Sequence, residues 1–108
     1  MIKQPGLPGD EYELIDEEVY RLRLFVTGAT PNSTRAIANI KEFCETHLNG
    51  KYELDIVDVY QQPTIAEKEQ IIALPMLLKK SPLPQRKLIG DMSDTDKVLR
   101  GLNLPALE

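Results

Sequence analysis

The sequence has no tryptophan, and only one cysteine and one histidine among its 108 residues. A single cysteine, Cys44, cannot form an internal disulfide, which is typical of a reducing compartment. Together with His47 it falls short of the four ligands of a structural zinc site. No apolar run approaches the roughly 18 residues that a membrane-spanning helix needs, and the first residues lack the apolar core of a secretory signal. We therefore expect a cytoplasmic protein that uses no metal and no cofactor.

The negative charge is concentrated at one end of the chain. Residues 1–19 contain six acids and one lysine, a net charge of −5, whereas the other residues contain twelve bases and eleven acids, a net charge of +1. We interpret residues 1–19 as a flexible acidic extension, 20–104 as a single domain and 105–108 as a tail. The nearly neutral domain has no basic stripe, which argues against nucleic-acid binding.

Hydrophobic periodicity predicts a strand–helix–strand unit in the first half of the domain. Alternation over Tyr20–Thr27 indicates a strand. Apolar residues spaced by three and four from Ser33 to Leu48 indicate an amphipathic helix, with Thr30 or Asn32 as its N-cap. Alternation resumes over Tyr52–Tyr60, and a crossover of this length predicts that the two strands are parallel.

The second half predicts a short helix, a hairpin and a final helix. Thr64 caps the short helix, which runs through Ile65 to Ile72. Two apolar runs, residues 76–79 and 86–90, flank a proline-rich turn and are typical of an antiparallel hairpin. Ser93 as N-cap with Asp96 at the third helical position predicts a capping box for the last helix.

The resulting order, β-α-β-α-β-β-α, resembles the thioredoxin-like α/β fold. Pro75 directly precedes the third strand, where the proline of that fold is usually cis. The positions of the Cys-x-x-Cys redox pair read Thr30-Pro31-Asn32-Ser33 in this chain. Thiol–disulfide chemistry needs a thiolate nucleophile and a second thiol. The sequence therefore favours binding over catalysis, and we assign no catalytic residue.

Several stretches resemble the KaiB family, small clock proteins of cyanobacteria with relatives in other bacteria. The matching stretches are Leu24–Ala36, Ile56–Val59, Gln62-Pro63 with Ala66-Glu67, Ala73–Pro75, and Arg86–Asp94 with Lys97–Leu99. They run from about residue 20 to residue 103, and Gly-x-Thr-Pro-Asn-Ser together with Ile-Gly-Asp-x-Ser is a specific combination. The family-motif residues are Gly28, Thr30, Pro31, Asn32, Ser33, Asp58, Pro63, Pro75, Gly90 and Asp91.

The resemblance implies a regulator that acts by assembly. Proteins of this family bind KaiC, a hexameric ATPase that phosphorylates itself, draw KaiA away from its activating site and displace a clock histidine kinase. The resemblance also implies two folds, a thioredoxin-like monomer that binds KaiC and a resting homo-tetramer with a rearranged C-terminal half. Because the capping box favours a helix over residues 93–102, we expect the thioredoxin-like state to predominate.

Five charged residues are the candidates for a partner-binding surface: Arg35, Glu53, Asp55, Arg86 and Lys87. Solvated surface charges are an alternative interpretation for the three cations. Glu53 and Asp55 stand where typical clock KaiB proteins have a small residue and a lysine, so the acidic pair would abolish KaiC binding or retune it. Three hypotheses follow: a KaiC-binding regulator in a clock or stress response, an interaction module with another partner, and, least favoured, an enzyme acting on thiols or glutathione.

Overall fold

A computed structural model describes residues 19–71 and 73–104 of the chain. Most of the predicted acidic extension, Ile72 and the predicted tail lie outside the described residues. The described part contains four strands and three helices in the predicted order. They are β1 (Tyr20–Val26), α1 (Pro31–His47), β2 (Tyr52–Asp58), α2 (Pro63–Lys68), β3 (Met76–Ser81), β4 (Arg86–Ile89) and α3 (Thr95–Gly101).

The four strands form one mixed sheet in the order β2-β1-β3-β4. Strands β1 and β2 are parallel, whereas β3 is antiparallel to both β1 and β4. The parallel pair and the C-terminal hairpin are therefore confirmed. The Leu74–Pro75 peptide is cis, as the resemblance implied, and the Ser81–Pro82 and Leu83–Pro84 peptides are cis as well.

The two faces of the sheet carry clusters of different size. Side chains alternate across a strand, so successive residues of β1 contribute to opposite faces. The larger cluster, under α1 and α3, includes Leu22, Leu24, Val26, Ile40, Leu77, Val98 and Leu102. The smaller cluster on the other face consists of Phe25, Val57, Met76 and Leu78, against which Val59, Ile65, Ile71 and Leu74 pack. Both faces of β1 are thus buried at Leu24, Phe25 and Val26, which explains why the strand becomes fully apolar toward its end.

Both predicted bounds of α2 are wrong. The helix begins at Pro63 and ends at Lys68, and its N-cap residue, Gln62, makes no side-chain capping bond. Proline fits the first helical position because its missing N–H would have no helical partner there. The left-handed backbone of Gln70, with φ of 54°, ends the helical path well before residue 72.

The predicted capping box of α3 is also wrong, although the helix itself is confirmed. Asp94 is the N-cap, and its Oδ1 accepts a hydrogen bond from the Lys97 backbone N–H at 3.1 Å. Ser93 instead belongs to the preceding turn, where its backbone N–H donates to Asp91 Oδ1 at 3.1 Å. Residues 95–101 are helical, as expected for the thioredoxin-like state.

Candidate functional site

A hydroxyl network occupies the loop where a thioredoxin-like protein carries its cysteine pair. Ser33 is fully buried, and its Oγ accepts a hydrogen bond from the Thr27 backbone N–H at 3.1 Å. The Thr30 hydroxyl donates to the same oxygen at 2.8 Å, and its Oγ1 accepts from the Ser33 backbone N–H at 3.2 Å. Thr30 is therefore the N-cap of α1, while Ser33 joins the end of β1 to the helix.

An open cavity lies beside this network. Its volume is about 380 Å³, and its walls include Thr27, Thr30 and Asn32 together with Leu74 and Pro75. The groups that face it are hydroxyl, amide and apolar, so this place offers hydrogen bonding and contact area but no nucleophilic sulfur. Gly28, with φ of 57°, makes the turn that leads into the loop, a conformation that glycine adopts without strain.

The thiol of Cys44 lies on the buried side of α1, away from the cavity-lining residues. Burial, and secondarily the charge of Glu45, raises the pKa of this thiol to about 12. A thiol that remains protonated and enclosed cannot act as a nucleophile at neutral pH. Among the residues that the structure describes, no group of three or more histidine, cysteine or acidic side chains is placed to hold a metal ion.

Arg35 and Asp91, one a predicted binding residue and the other a family-motif residue, are brought together. Arg35 Nε lies 3.4 Å from Asp91 Oδ2, and the guanidinium also hydrogen-bonds the amide oxygen of Asn32. Asn39 Nδ2 donates to the Asp91 backbone oxygen at 2.8 Å. Hydrogen bonds from Ser93, and to a smaller extent from Arg35, hold the pKa of Asp91 below its usual value. Helix α1 is thereby joined to the loop between β4 and α3.

Glu53 and Asp55 lie on β2, an edge strand, and each pairs with an arginine of β1. Arg21 is in register with Glu53, and its Nη1 lies 3.1 Å from Glu53 Oε1. Arg23 is in register with Asp55, and its Nε lies 3.2 Å from Asp55 Oδ2. Opposite charges at facing positions stabilise a strand pair modestly. The acidic pair therefore forms part of a charge-balanced ladder.

Arg86 and Lys87 lie on β4, the opposite edge of the sheet, and both are exposed. Lys87 Nζ donates to the backbone oxygen of Gln70 at 3.2 Å. Since β1 and β3 separate β4 from the acidic strand, the five predicted binding residues do not form one site. They divide among the β2 edge, the β4 edge and the α1–loop junction, and their roles in binding stay predictions.

Sequence reasoning missed the residues that pair with the predicted ones. Arg21 and Arg23 alternate on β1 as the two acids alternate on β2, and a parallel in-register pairing would have indicated their contact. Glu69, which contacts Arg23 across 46 positions of the chain, had no comparable local signal.

Comparison with known proteins places the chain in a family. Residues 23–104 match the family model described as KaiB domain. The circadian clock oscillator protein KaiB of Picosynechococcus sp. is 49% identical over 88 residues, covering 82% of this chain and 85% of that protein. The KaiB protein of Synechococcus elongatus is 47% identical over 87 residues, covering 81% and 85%.

Solved structures confirm the fold at low sequence identity. The N-terminal domain of Synechococcus elongatus SasA superposes with a TM-score of 0.69 at 18% identity, covering 97% of this chain and all of that domain. Mitochondrial thioredoxin 3 of Saccharomyces cerevisiae superposes with a TM-score of 0.64 at 15% identity, covering 83% and 82%. The fold is thioredoxin-like, and by its family model and its curated relatives the chain belongs to the KaiB family.

Proposed function

We propose that this protein is a non-catalytic regulator that binds a KaiC-type ATPase and modulates its phosphorylation and output. The observation that carries the proposal is the KaiB match over residues 23–104, whose curated relatives are named circadian clock oscillator proteins. Its setting is a circadian clock or a stress response in the cytoplasm. Among the described residues no helix is long and apolar enough to span a membrane.

Two features of the site support action without chemistry. The redox positions of the thioredoxin-like fold hold hydroxyls that already hydrogen-bond one another. The thiol of Cys44 is buried and has a raised pKa. The protein therefore acts by occupying a surface of its partner, and KaiA or a clock histidine kinase is affected indirectly.

The thioredoxin-like monomer is the binding state in this proposal, and a homo-tetramer with a rearranged C-terminal half is the alternative state. The helical geometry of residues 95–101, capped by Asp94, supports the first state as the populated one. The binding surface includes the β2 edge and the β4 edge, where the predicted charged residues are exposed.

The first test is co-elution on a sizing column with the KaiC homologue from the same genome, loaded with ATP or with ADP. A shared peak supports the proposal. Separate peaks in both nucleotide states, with a monomeric elution of this chain, contradict it. They favour a second candidate, a redox-inert interaction module with a partner other than KaiC, which the acidic residues Glu53 and Asp55 at the β2 edge support.

The edge itself is tested by the double variant Glu53→Ala, Asp55→Lys, which restores the residue types of typical clock KaiB proteins. If this chain is a divergent clock protein, the variant binds KaiC more tightly than the wild type. Because the variant leaves Arg21 and Arg23 without their β2 partners, its urea midpoint must be measured beside its binding.

A disulfide-reduction assay with the wild type tests the thiol-enzyme hypothesis, and measurable turnover would contradict the proposal.

A further inference from the structure

Cations from three different strands converge on the turn that follows α2. Lys80 of β3 places its Nζ 2.7 Å from Glu69 Oε2, and Arg23 of β1 places Nη1 3.4 Å from the same oxygen. Lys87 of β4 donates from Nζ to the Gln70 backbone oxygen at 3.2 Å. We call these contacts to Glu69 and Gln70 the ionic clasp.

The two ion pairs of Glu69 within the clasp are more enclosed than the Arg21–Glu53 pair of the same sheet. The Glu69 side chain is 19% exposed and that of Arg23 is 25% exposed. In the Arg21–Glu53 pair the corresponding values are 60% and 63%. Screening by water and salt weakens exposed pairs most. Removing one member of an enclosed pair also leaves its partner charge without compensation. Glu69 therefore contributes more to the stability of the folded state than a surface carboxylate does.

Helix α2 depends on such contacts because it has little stability of its own. It has six residues, no buried residue and no side-chain N-cap. Helices this short are marginal in water and are held by tertiary contacts. The hydrogen bonds that follow the helix are long. The Glu69 backbone N–H donates to the Ala66 oxygen at 3.3 Å, and the Gln70 backbone N–H donates to the Glu67 oxygen at 3.5 Å.

Among the described residues of this region, apolar packing is limited to the edge of the smaller cluster. Ile65 and Ile71 are only partly buried where they pack against Phe25, Val57, Met76 and Leu78. The turn at Gln70 adopts φ of 54°, which is uncommon for a residue other than glycine and needs support from its surroundings. The charged contacts supply that support from both inner strands and from the β4 edge.

Arg23 also joins the clasp to the β2 edge, because its Nε lies 3.2 Å from Asp55 Oδ2. The charges thus alternate in sign from Asp55 through Arg23 and Glu69 to Lys80. If Asp55 is neutralised, Arg23 keeps its ion pair with Glu69. If Glu69 is neutralised, the turn loses its ion pairs with both inner strands, through Arg23 of β1 and Lys80 of β3.

We propose that Glu69 holds a local opening unit, residues 63–71, against the sheet. When the contacts of the ionic clasp break, this unit separates from the sheet while the rest of the domain stays folded. Opening exposes the apolar residues of the smaller cluster. The unit is a conformational device within the fold, and it does not depend on the identity of the partner. Segments held by few apolar contacts and by exposed hydrogen bonds are those that open locally.

Hydrogen–deuterium exchange of the full chain at low salt tests the proposal, with peptides covering residues 63–71 and α1 as the internal reference. In Glu69→Gln we expect exchange of residues 63–71 to be about tenfold faster, the equivalent of ~1.4 kcal/mol, with α1 unchanged. Glu67→Gln is the matched control, because Glu67 is an exposed carboxylate of α2 two residues before Glu69, and this variant should exchange like the wild type. Asp55→Asn, which removes a different carboxylate from Arg23, should exchange no faster than the wild type.

Salt separates an ionic clasp from a packing contact. Raising NaCl from about 0.05 M to about 0.5 M shortens the Debye length severalfold. Exchange of residues 63–71 should then accelerate in the wild type but not in Glu69→Gln. The proposal is overturned if Glu69→Gln matches the wild type, if Glu67→Gln has an equal effect, or if α1 accelerates by the same factor.

Discussion

Arg35 Nε lies 3.4 Å from Asp91 Oδ2, which ties the first turns of α1 to the loop between β4 and α3. Asn39, one helical turn further along α1, adds a hydrogen bond to the Asp91 backbone oxygen. The same loop contains Met92, which is buried and has a left-handed backbone with φ of 63°. Arg35 therefore has a structural partner, in addition to any contact with another protein.

We expect Arg35→Met to lower the urea midpoint of unfolding slightly, because it removes one of the links that hold the loop. Asp91→Asn should lower it more, since Asp91 Oδ1 also accepts from Ser93. The double variant should be only slightly less stable than Asp91→Asn alone, because the Arg35–Asp91 contact is already lost in Asp91→Asn and only the hydrogen bond from Arg35 to Asn32 remains to be removed. Lys41→Met, an exposed position of α1, is the control. If Arg35→Met loses KaiC co-elution with an unchanged midpoint, Arg35 acts in binding alone.

Acid should weaken the fold through Asp91. Hydrogen bonds from Ser93 and Arg35 lower the folded-state pKa of this carboxyl below its ordinary value of 3.8. A lowered pKa stabilises the folded state at pH above the ordinary value, and this contribution is lost as the pH falls through the folded-state pKa. The thermal midpoint of the wild type should therefore fall below about pH 4 more steeply than that of Asp91→Asn. Parallel profiles of the two proteins would contradict this assignment.

Local patterns predicted the helices and strands, whereas contacts between particular side chains decided the details that were missed. The alternation in β1 and the spacing in α1 report burial directly, which is why the strand–helix–strand unit and its parallel pairing were predicted. The cap of α3 depended on competition among neighbouring polar residues. Asp94 caps the helix, whereas the Ser93 N–H donates to Asp91 in the preceding turn.

The candidate site was less predictable than the fold for a similar reason. The family resemblance identified Glu53 and Asp55 as departures from typical clock KaiB proteins, but it did not indicate that β1 supplies an arginine to each of them. The contact between Arg23 and Glu69 depends on the return of the chain after α2, and nothing in the neighbouring sequence specifies it.

Double-mutant cycles should rank the ion pairs by enclosure. For Arg21→Met with Glu53→Gln, the coupling energy should be below about 0.5 kcal/mol, because both side chains are mostly in water. For Arg23→Met with Glu69→Gln we expect roughly 1 kcal/mol, since both side chains are largely covered. Chemical denaturation of the four proteins in each cycle gives these values. Equal coupling in the two cycles would show that enclosure does not strengthen the Arg23–Glu69 pair.

Cys44 should resist thiol reagents as long as the protein is folded. Its thiol is buried on α1, and its pKa of about 12 leaves very little thiolate even at pH 8. Ellman's reagent should therefore label the native protein at least about a hundredfold more slowly than the same protein in urea, where the thiol returns to an ordinary pKa near 8.5.

The Glu45→Gln variant separates the two causes of the raised pKa. Burial is the larger cause, so removing the Glu45 charge should accelerate native labelling only slightly. If the native wild type is labelled as fast as the unfolded chain, Cys44 is accessible in solution and the enclosed packing of α1 is wrong. If Glu45→Gln alone restores fast labelling, charge and not burial protects the thiol.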